Sequence, residues 1–159
     1  MSQDLKFFRG KRVLVTGHTG FKGTWLTFLL SELGAEVMGY ALTPEPGPSH
    51  FNLLDMQDKI NHVVGDVRDV VSLNNAFQSF KPDIVFHLAA QALVKKSYID
   101  PALTFDTNVM GSVNLLDAVR QCSSVRSLVY ITSDKCYENL EWVWGYREND
   151  QLGGHDPYS

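Results

Sequence analysis

Apolar residues along this chain follow two rhythms that alternate from one end to the other. A β-branched run, Val13-Leu14-Val15, follows Arg12 and ends in Thr16-Gly17, which reads as a strand. From about Phe21 to Leu33 the apolar positions Phe21, Trp25, Phe28, Leu29 and Leu33 recur close to helical period, and Gly34 closes the helix. Glu36 to Ala41 is the next strand, so a strand–helix–strand unit closes within about thirty residues, the size of a right-handed crossover, and its strands should be parallel neighbours. Pro44, Pro46, Gly47 and Pro48 make a loop, and Phe51 to Met56 a short helical turn. The alternation then resumes. His62 to Asp66 predicts a third strand, Val70 to Phe80 a helix, and Asp83 to Leu88 a fourth, fully buried strand. Pro101 opens a long helix to about Gln121, with apolar positions at Leu103, Val109, Val113, Leu116 and Val119, and Ser127 to Thr132 is strand five.

Such alternation implies an α/β fold, a doubly wound parallel sheet of Rossmann type, whose ligands sit beyond the carboxyl ends of the strands. Those ends are Gly17, Tyr40, Asp66, Leu88 to Gln91, and Thr132 to Lys135. The first carries Gly17-His18-Thr19-Gly20-Phe21-Lys22-Gly23 between a strand and a helix, the pattern of a phosphate cradle. Gly17 permits the sharp turn, Gly20 the approach of a pyrophosphate, and Gly23 close packing of helix on strand. A purely structural turn is the plainer alternative. The acid that usually holds the adenine ribose diol is due about 20 residues beyond the glycines. Tyr40, Ala41 and Leu42 stand there instead, and no Lys or Arg lies between Lys22 and Lys59 to meet a 2′-phosphate, which favours NAD.

Other strand ends carry their own candidates. Asp66, followed by Val67, is placed to meet an adenine; equally, Asp66 or Asp69 is placed to cap the next helix. Leu88, Ala89, Ala90 and Gln91 are cofactor candidates because small residues let backbone approach a ligand, whereas His87 reads as a hydrogen-bonded core histidine. Asn108 is a partner for backbone or for a site water, or simply a solvated helix residue. Asp134-Lys135 at the end of strand five reads either as catalytic or as a surface ion pair, and Ser133 as a ligand to a substrate hydroxyl or to a loop amide. Trp142, Trp144 and Tyr146 suit a clamp on a base or sugar, or packing against the sheet. Cys136 reads as packing.

At 159 residues the chain is one domain's worth, and a net charge of −4 with interspersed signs offers no patch for nucleic acid and no polybasic membrane tag. No signal peptide is evident, and no apolar run approaches the roughly 18 residues of a membrane span, so a cytoplasmic location is expected. Cys122 and Cys136 have no recognisable pairing, and His18, His50, His62, His87 and His155 are scattered without metal-ligand spacing. The close at Asp156-Pro157-Tyr158-Ser159 reads as the end of a fragment.

Taken together, Thr16-Gly17-x-x-Gly20-x-x-Gly23, His87-Leu88-Ala89-Ala90-Gln91, Asn108 in Thr107-Asn108-Val109-Met110-Gly111, and Tyr158 resemble the extended short-chain dehydrogenase/reductase superfamily over essentially the whole chain. Within it, the stretch from Thr132 to Asn139, Glu141 to Glu148, and Gly153 to Ser159 is similar to the CDP-glucose 4,6-dehydratases; the dTDP branch carries Thr-Asp-Glu where Ser133-Asp134-Lys135 stands. The resemblance implies NAD as cofactor, CDP-glucose as substrate, and an internal oxidation at C4 followed by loss of the C6 hydroxyl as water. It assigns Tyr158 as the base at the C4 hydroxyl, Ser133 as its hydrogen-bond partner, Asp134 as the acid at the C6 hydroxyl and Lys135 as the base at C5. Asp134 would need burial to keep its proton, and Lys135 a lowered pKa to accept one. The family's Tyr-x-x-x-Lys lysine would stand four positions after Tyr158, past Ser159, and the nucleotide-sugar lobe is missing, so the chain alone should be inactive. The helix from Pro101 is the family's usual dimer surface, implying a homo-oligomer, although the same stripe must also cover the sheet. A related nucleotide-sugar epimerase or dehydratase, and a non-catalytic NAD-binding module, are the alternatives.

Overall fold

The computed structural model describes residues 3–44 and 46–159. Its centre is a sheet of five parallel strands, β1 (Arg12–Thr16), β2 (Glu36–Ala41), β3 (Asn61–Val64), β4 (Ile84–His87) and β5 (Ser127–Tyr130), in the order β3-β2-β1-β4-β5. All four pairings are parallel, so each needs a crossover, and the intervening helices supply them. β1 is the central strand. Val13, Leu14 and Val15 are fully buried there, and successive side chains serve opposite faces. Val13 and Val15 join Val37, Ile84 and Leu30 of helix α1 (Phe21–Glu32) on one side. Leu14, Met38, Tyr40 and Val85 join Leu73, Phe77 and Phe80 of α3 (Val70–Phe80) and Leu115 and Ala118 of α6 (Gly111–Gln121) on the other. Helices on both faces make this the doubly wound sheet that the alternation predicts. The order reverses between β1 and β4, the place where ligands of such sheets bind.

α3 falls on the predicted residues, capped by Asp69, whose carboxylate accepts from Val71 and Ser72 N–H. Asp69, rather than Asp66, is therefore the cap. Between β2 and β3 lie a short α2 (His50–Leu53) and a 3₁₀ turn at Met56–Asp58. The long helix runs from Pro101 to Gln121 as its periodicity suggests, with one π-helical turn inside it. A helix absent from the sequence reading, α4 (Val94–Ile99), precedes it; Asp100 then caps α5 (Pro101–Phe105), and a π-helical turn at Asp106–Met110 leads into α6.

Two helices also turn an unexpected face to the sheet. On α1 the buried positions are Gly23, Thr24, Thr27 and Leu30, while Phe21 is 68% and Trp25 48% exposed and pack beside His50. Around α6 the buried positions are Thr104, Gly111, Ser112, Leu115 and Ala118, whereas Phe105, Val109, Val113 and Leu116 face outward. The stripe expected to cover the sheet does not. The cause is distance: a Cβ on Gly23 would lie 2.2 Å from the Gly17 carbonyl, and one on Gly111 2.7 Å from Val67, so small residues must face the sheet and its loops. The threonine hydroxyls find partners in backbone carbonyls, Thr27 in Gly23 and Thr24 in His18 and Gly20. Among the described residues no helix is long and apolar enough to cross a membrane.

Candidate active site

Because β1, β4 and β5 pair in parallel with Thr16, His87 and Tyr130 level, the segments that leave them start side by side along one edge. Gly17 makes the first turn at φ +73°, its N–H donating to the Tyr40 carbonyl at 2.9 Å. A Cβ there would lie 2.7 Å from Ala89 N and 2.8 Å from Leu88 C, so glycine loop and post-β4 segment are in contact. Gly20 is the N-cap of α1 and carries no capping side chain, and a Cβ on it would meet only the Gly17 carbonyl, so this part of the loop is open. Unpaired amides at a helix start beside an open surface suit an anion. Thr19 donates its hydroxyl to the Leu42 carbonyl, tying the loop to the end of β2. Lys22 is exposed on the first turn of the helix. The residues present therefore fit a dinucleotide pyrophosphate.

One side chain in the loop departs from its expected role. His18 is 0% exposed and its ring points into the protein against Gly39, Phe51 and His62, which leaves only its backbone for a cofactor. Its Nε2 lies 2.7 Å from His62 Nδ1, so two of the five histidines, 44 residues apart, are paired rather than scattered.

The post-β4 segment is organised by a residue that the sequence reading took only as a strand end. Thr16 Oγ1 accepts from the N–H groups of Leu88 and Ala89, both at 3.2 Å, and lies 2.7 Å from His87 Nδ1. With both lone pairs used, the hydroxyl donates to Nδ1, and His87 carries its proton on Nε2. Burial pushes the His87 pKa down to about 4, so it is a neutral core histidine, as read from its apolar strand. A polar residue ending an otherwise apolar run was the available signal for Thr16. Further along, Gln91 and Asn108 hold each other: Gln91 N–H donates to Asn108 Oδ1 at 2.8 Å, and Asn108 Nδ2 to the Gln91 carbonyl at 3.1 Å. The Gln91 side chain turns back to Thr104 and Leu93. Both side chains are thus engaged in shaping the loop that holds Ala89 and Ala90. The π-helical turn exposes the Asn108 carbonyl to Ser112, whose hydroxyl donates to it and accepts from Tyr130.

At the end of β3, the Asp66 carboxylate accepts from Arg68 N–H at 2.9 Å and from the Arg68 guanidinium at 2.6 Å, and the same guanidinium reaches Asp106. Arg68 holds the Asp66 carboxyl below its ordinary range. Any adenine amino group would share that carboxylate with Arg68. Val67 is buried against Gly111 and its carbonyl accepts from Asn114.

Beyond β5, Ser133 is half-buried and its hydroxyl accepts from Lys135 N–H, closing the turn Asp134–Cys136; Asp134 and Lys135 are exposed and form no ion pair with each other. The burial expected of Asp134 is not supplied by these residues. The chain then makes an excursion closed at its base by Glu138 N–H to the Gln151 carbonyl and Gly153 N–H to the Cys136 carbonyl. Inside it, Tyr137 and Tyr146 stack at 5.3 Å and Trp142 leans on Tyr146, an aromatic cluster on the surface rather than against the sheet. The terminal segment returns beside this turn, anchored by Tyr98 to the His155 carbonyl. Tyr158 is half-buried there, and Lys135 is close enough to help lower the Asp156 carboxyl, burial opposing and Ser159 and backbone N–H bonds assisting. The segment that leads to Tyr158 is tied to the turn that carries Ser133, Asp134 and Lys135 by the Gly153 N–H to Cys136 carbonyl bond.

A family model described as GDP-mannose 4,6 dehydratase matches residues 14–159. The chain belongs to the GDP-mannose 4,6-dehydratase family. Within the wider group it is 55% identical over 156 residues to a CDP-glucose 4,6-dehydratase of Salmonella typhimurium, covering 98% of this chain and 44% of that protein. Among solved structures, an epimerase from Methanothermobacter thermautotrophicus superposes with a TM-score of 0.84 at 29% identity, over 98% of this chain and 45% of the other. The Thermus thermophilus UDP-glucose 4-epimerase, solved with NAD, gives 0.79 at 33% identity, over 92% and 46%. The chain spans less than half the length of these relatives. The dehydratase-family match takes in the glycine loop, the post-β4 segment and the Ser133–Lys135 turn alike.

Proposed function

We propose that this chain is the NAD-binding part, residues 1–159, of a dehydratase that converts CDP-D-glucose to CDP-4-dehydro-6-deoxy-D-glucose in the cytoplasm. The observation that carries the reading is the common edge: glycine loop, Leu88–Gln91 and the Ser133–Lys135 turn leave three adjacent strands at one level. The identity to the Salmonella typhimurium dehydratase supports the choice of reaction and of CDP-glucose.

NAD, when bound, would supply reversible hydride acceptance. Gly17, Gly20 and the first amides of α1 would hold its pyrophosphate, Ala89 and Ala90 would line its ribose, and Asp66 and the Val67 N–H would meet its adenine. Tyr158 would take the proton of the C4 hydroxyl, a task that a phenol with an ordinary pKa near 10 performs only beside a cation. Ser133 would hold the same hydroxyl. Once C4 is a ketone, the C5 hydrogen is acidic; Lys135 would remove it as Asp134 gives its proton to the departing C6 hydroxyl, so one water leaves and charge balances. Deoxysugar products of this kind suit surface-polysaccharide synthesis. The outward stripe of Phe105, Val109, Val113 and Leu116 supports self-association of the chain.

The test is to incubate the full-length protein with CDP-glucose, and separately with dTDP-glucose and GDP-mannose, and to follow the ultraviolet absorbance of a 4-keto-6-deoxy sugar. Product from CDP-glucose alone is expected. Inversion at C4 with no loss of water would make it an epimerase, and NAD binding without any turnover would make it a non-catalytic module.

A further inference from the structure

One histidine of the glycine-rich loop, His18, is buried completely. Its backbone is pinned by α1: Thr24 donates its hydroxyl to the His18 carbonyl at 3.0 Å, and a Cβ on Gly23 would lie 2.7 Å from His18 Cα. Its ring passes over β2 at Gly39, where a Cβ would lie 2.3 Å from it, and ends against His62 on β3 with Phe51 edge-on at 5.3 Å. The 2.7 Å separation of His18 Nε2 and His62 Nδ1 admits one shared proton. Among the described residues the other ring nitrogen of His18, Nδ1, is buried and lacks a hydrogen bond of good geometry, although the Tyr40 carbonyl lies close enough to act on the ring. Burial, followed by the neighbouring His62, pushes His18 down to about 4, against a smaller opposing effect of the Tyr40 carbonyl, so the ring is neutral near pH 7.

We infer that His62 is a positioning residue for cofactor binding: through its hydrogen bond to His18 it fixes the glycine loop, across β2, in the shape that presents the α1 amides to a dinucleotide pyrophosphate. The inference rests on reading that loop as the NAD cradle. His62 meets the cradle at the buried His18 ring and not at the amides that would face a phosphate. Its influence runs through a side chain that spans the sheet from loop to edge strand and leaves no slack, since Gly39 has no room for even a methyl group beneath the ring. The pairing also selects the residue type at 62, because an asparagine amide places a polar atom where His62 Nδ1 stands, whereas a phenylalanine places a ring with none.

The experiment measures NAD binding by calorimetry in the full-length protein for the unaltered chain, His62→Phe and His62→Asn, with melting temperatures recorded alongside. His62→Phe should weaken NAD about fivefold, the worth of one hydrogen bond, and His62→Asn should restore affinity to within about twofold, whichever of the two melts higher. Nitrogen NMR of labelled histidines should show one proton shared between His18 and His62, a readout that stands even if His62→Phe fails to fold. Equal affinity of all three proteins overturns the inference and leaves the cradle reading intact, as does the absence of a shared proton. No NAD binding by the unaltered protein overturns the cradle reading, and this inference with it.

Discussion

The edge that carries the candidate site has two halves built on opposite terms. At β1 and β4 every element is held by buried contacts: Thr16 is 0% exposed and bonded three ways, His18 and His87 are neutral core rings, and Gly17 fits against Ala89 with no room for a methyl group. At β5 the strand itself is largely exposed, and Ser133, Asp134 and Lys135 are held by a single turn. In the proposed function the rigid half would bind NAD, and the half still open to solvent would carry the reactive groups. General acid and base chemistry needs perturbed proton affinities, which come from burial and neighbouring charge. The described residues bury the histidines of the first half and leave Asp134 and Lys135 exposed.

The sharpest way to break this contrast is at the tightest contact. Gly17→Val forces a branched side chain into φ +73° and into the Ala89 backbone. Strain of this kind plus overpacking should lower unfolding free energy by about 4 kcal/mol, read from urea denaturation. A loss below about 1 kcal/mol, within ordinary surface scatter, would mean that the two segments are not packed as described.

Acid comes next. His87 has a folded pKa of about 4 against 6.5 for an ordinary histidine, so its stabilising effect is complete above pH 6.5 and is lost as pH falls from there toward 4. The difference corresponds to roughly 3 kcal/mol at the acid end, and His18, lowered the same way, acts in the same direction. Asp66 and Asp83 have carboxyls held below the ordinary 3.8, the first by Arg68 and the second by the Arg12 N–H; their effect is lost only below 3.8. Urea midpoints should therefore fall between pH 6.5 and 4, and His87→Gln should flatten that fall. A flat profile in the unaltered chain would put water around these rings.

How far the sequence carried depends on the range of the interaction. Strand and helix periods, the Gly17–Gly23 turn and the cap at Asp69 rest on residues a few places apart, and the fold emerged from them. Helix faces did not, because apolar period marks which residues share a face and not which face meets the sheet; Gly23 and Gly111, the residues that decide it, carry no apolar signal. The π-helical turn at Asp106–Met110 hid inside an apolar pattern that runs on through it. His18–His62 and Gln91–Asn108 are invisible for a different reason: each joins residues 17 or more apart, and only the folded sheet brings them together. Asp134 is the reverse case, since the acid chemistry assigned to it calls for burial, and the turn presents it to solvent.

A matched pair of hydroxyl deletions sharpens the comparison at smaller scale. Thr16→Val keeps the shape but leaves the Ala89 amide and His87 Nδ1 without their partner, while Leu88 N–H keeps the Thr16 carbonyl, for a loss of about 2 kcal/mol. Ser133→Ala removes one exposed bond to Lys135 N–H and should cost about 0.5 kcal/mol or less. Equal losses in the two variants, measured on one urea series, would erase the distinction between the halves.

The smallest effect tests the most. Asp134→Asn and Lys135→Ala each remove a charge that meets no partner among the described residues and supports no core, so unfolding free energy should move by no more than about 0.5 kcal/mol and NAD affinity by less than about twofold. Such indifference is itself informative, because two adjacent, oppositely charged residues at a strand's carboxyl end that contribute nothing to folding stand free to serve a substrate. In the full-length protein the same substitutions should then cost turnover of CDP-glucose by a factor of about 100 or more, the range of a lost general acid or base. Stability losses as large as those of Thr16→Val would instead make the pair a structural element of the turn, and dehydration at an unchanged rate by Lys135→Ala would assign the C5 proton to another base.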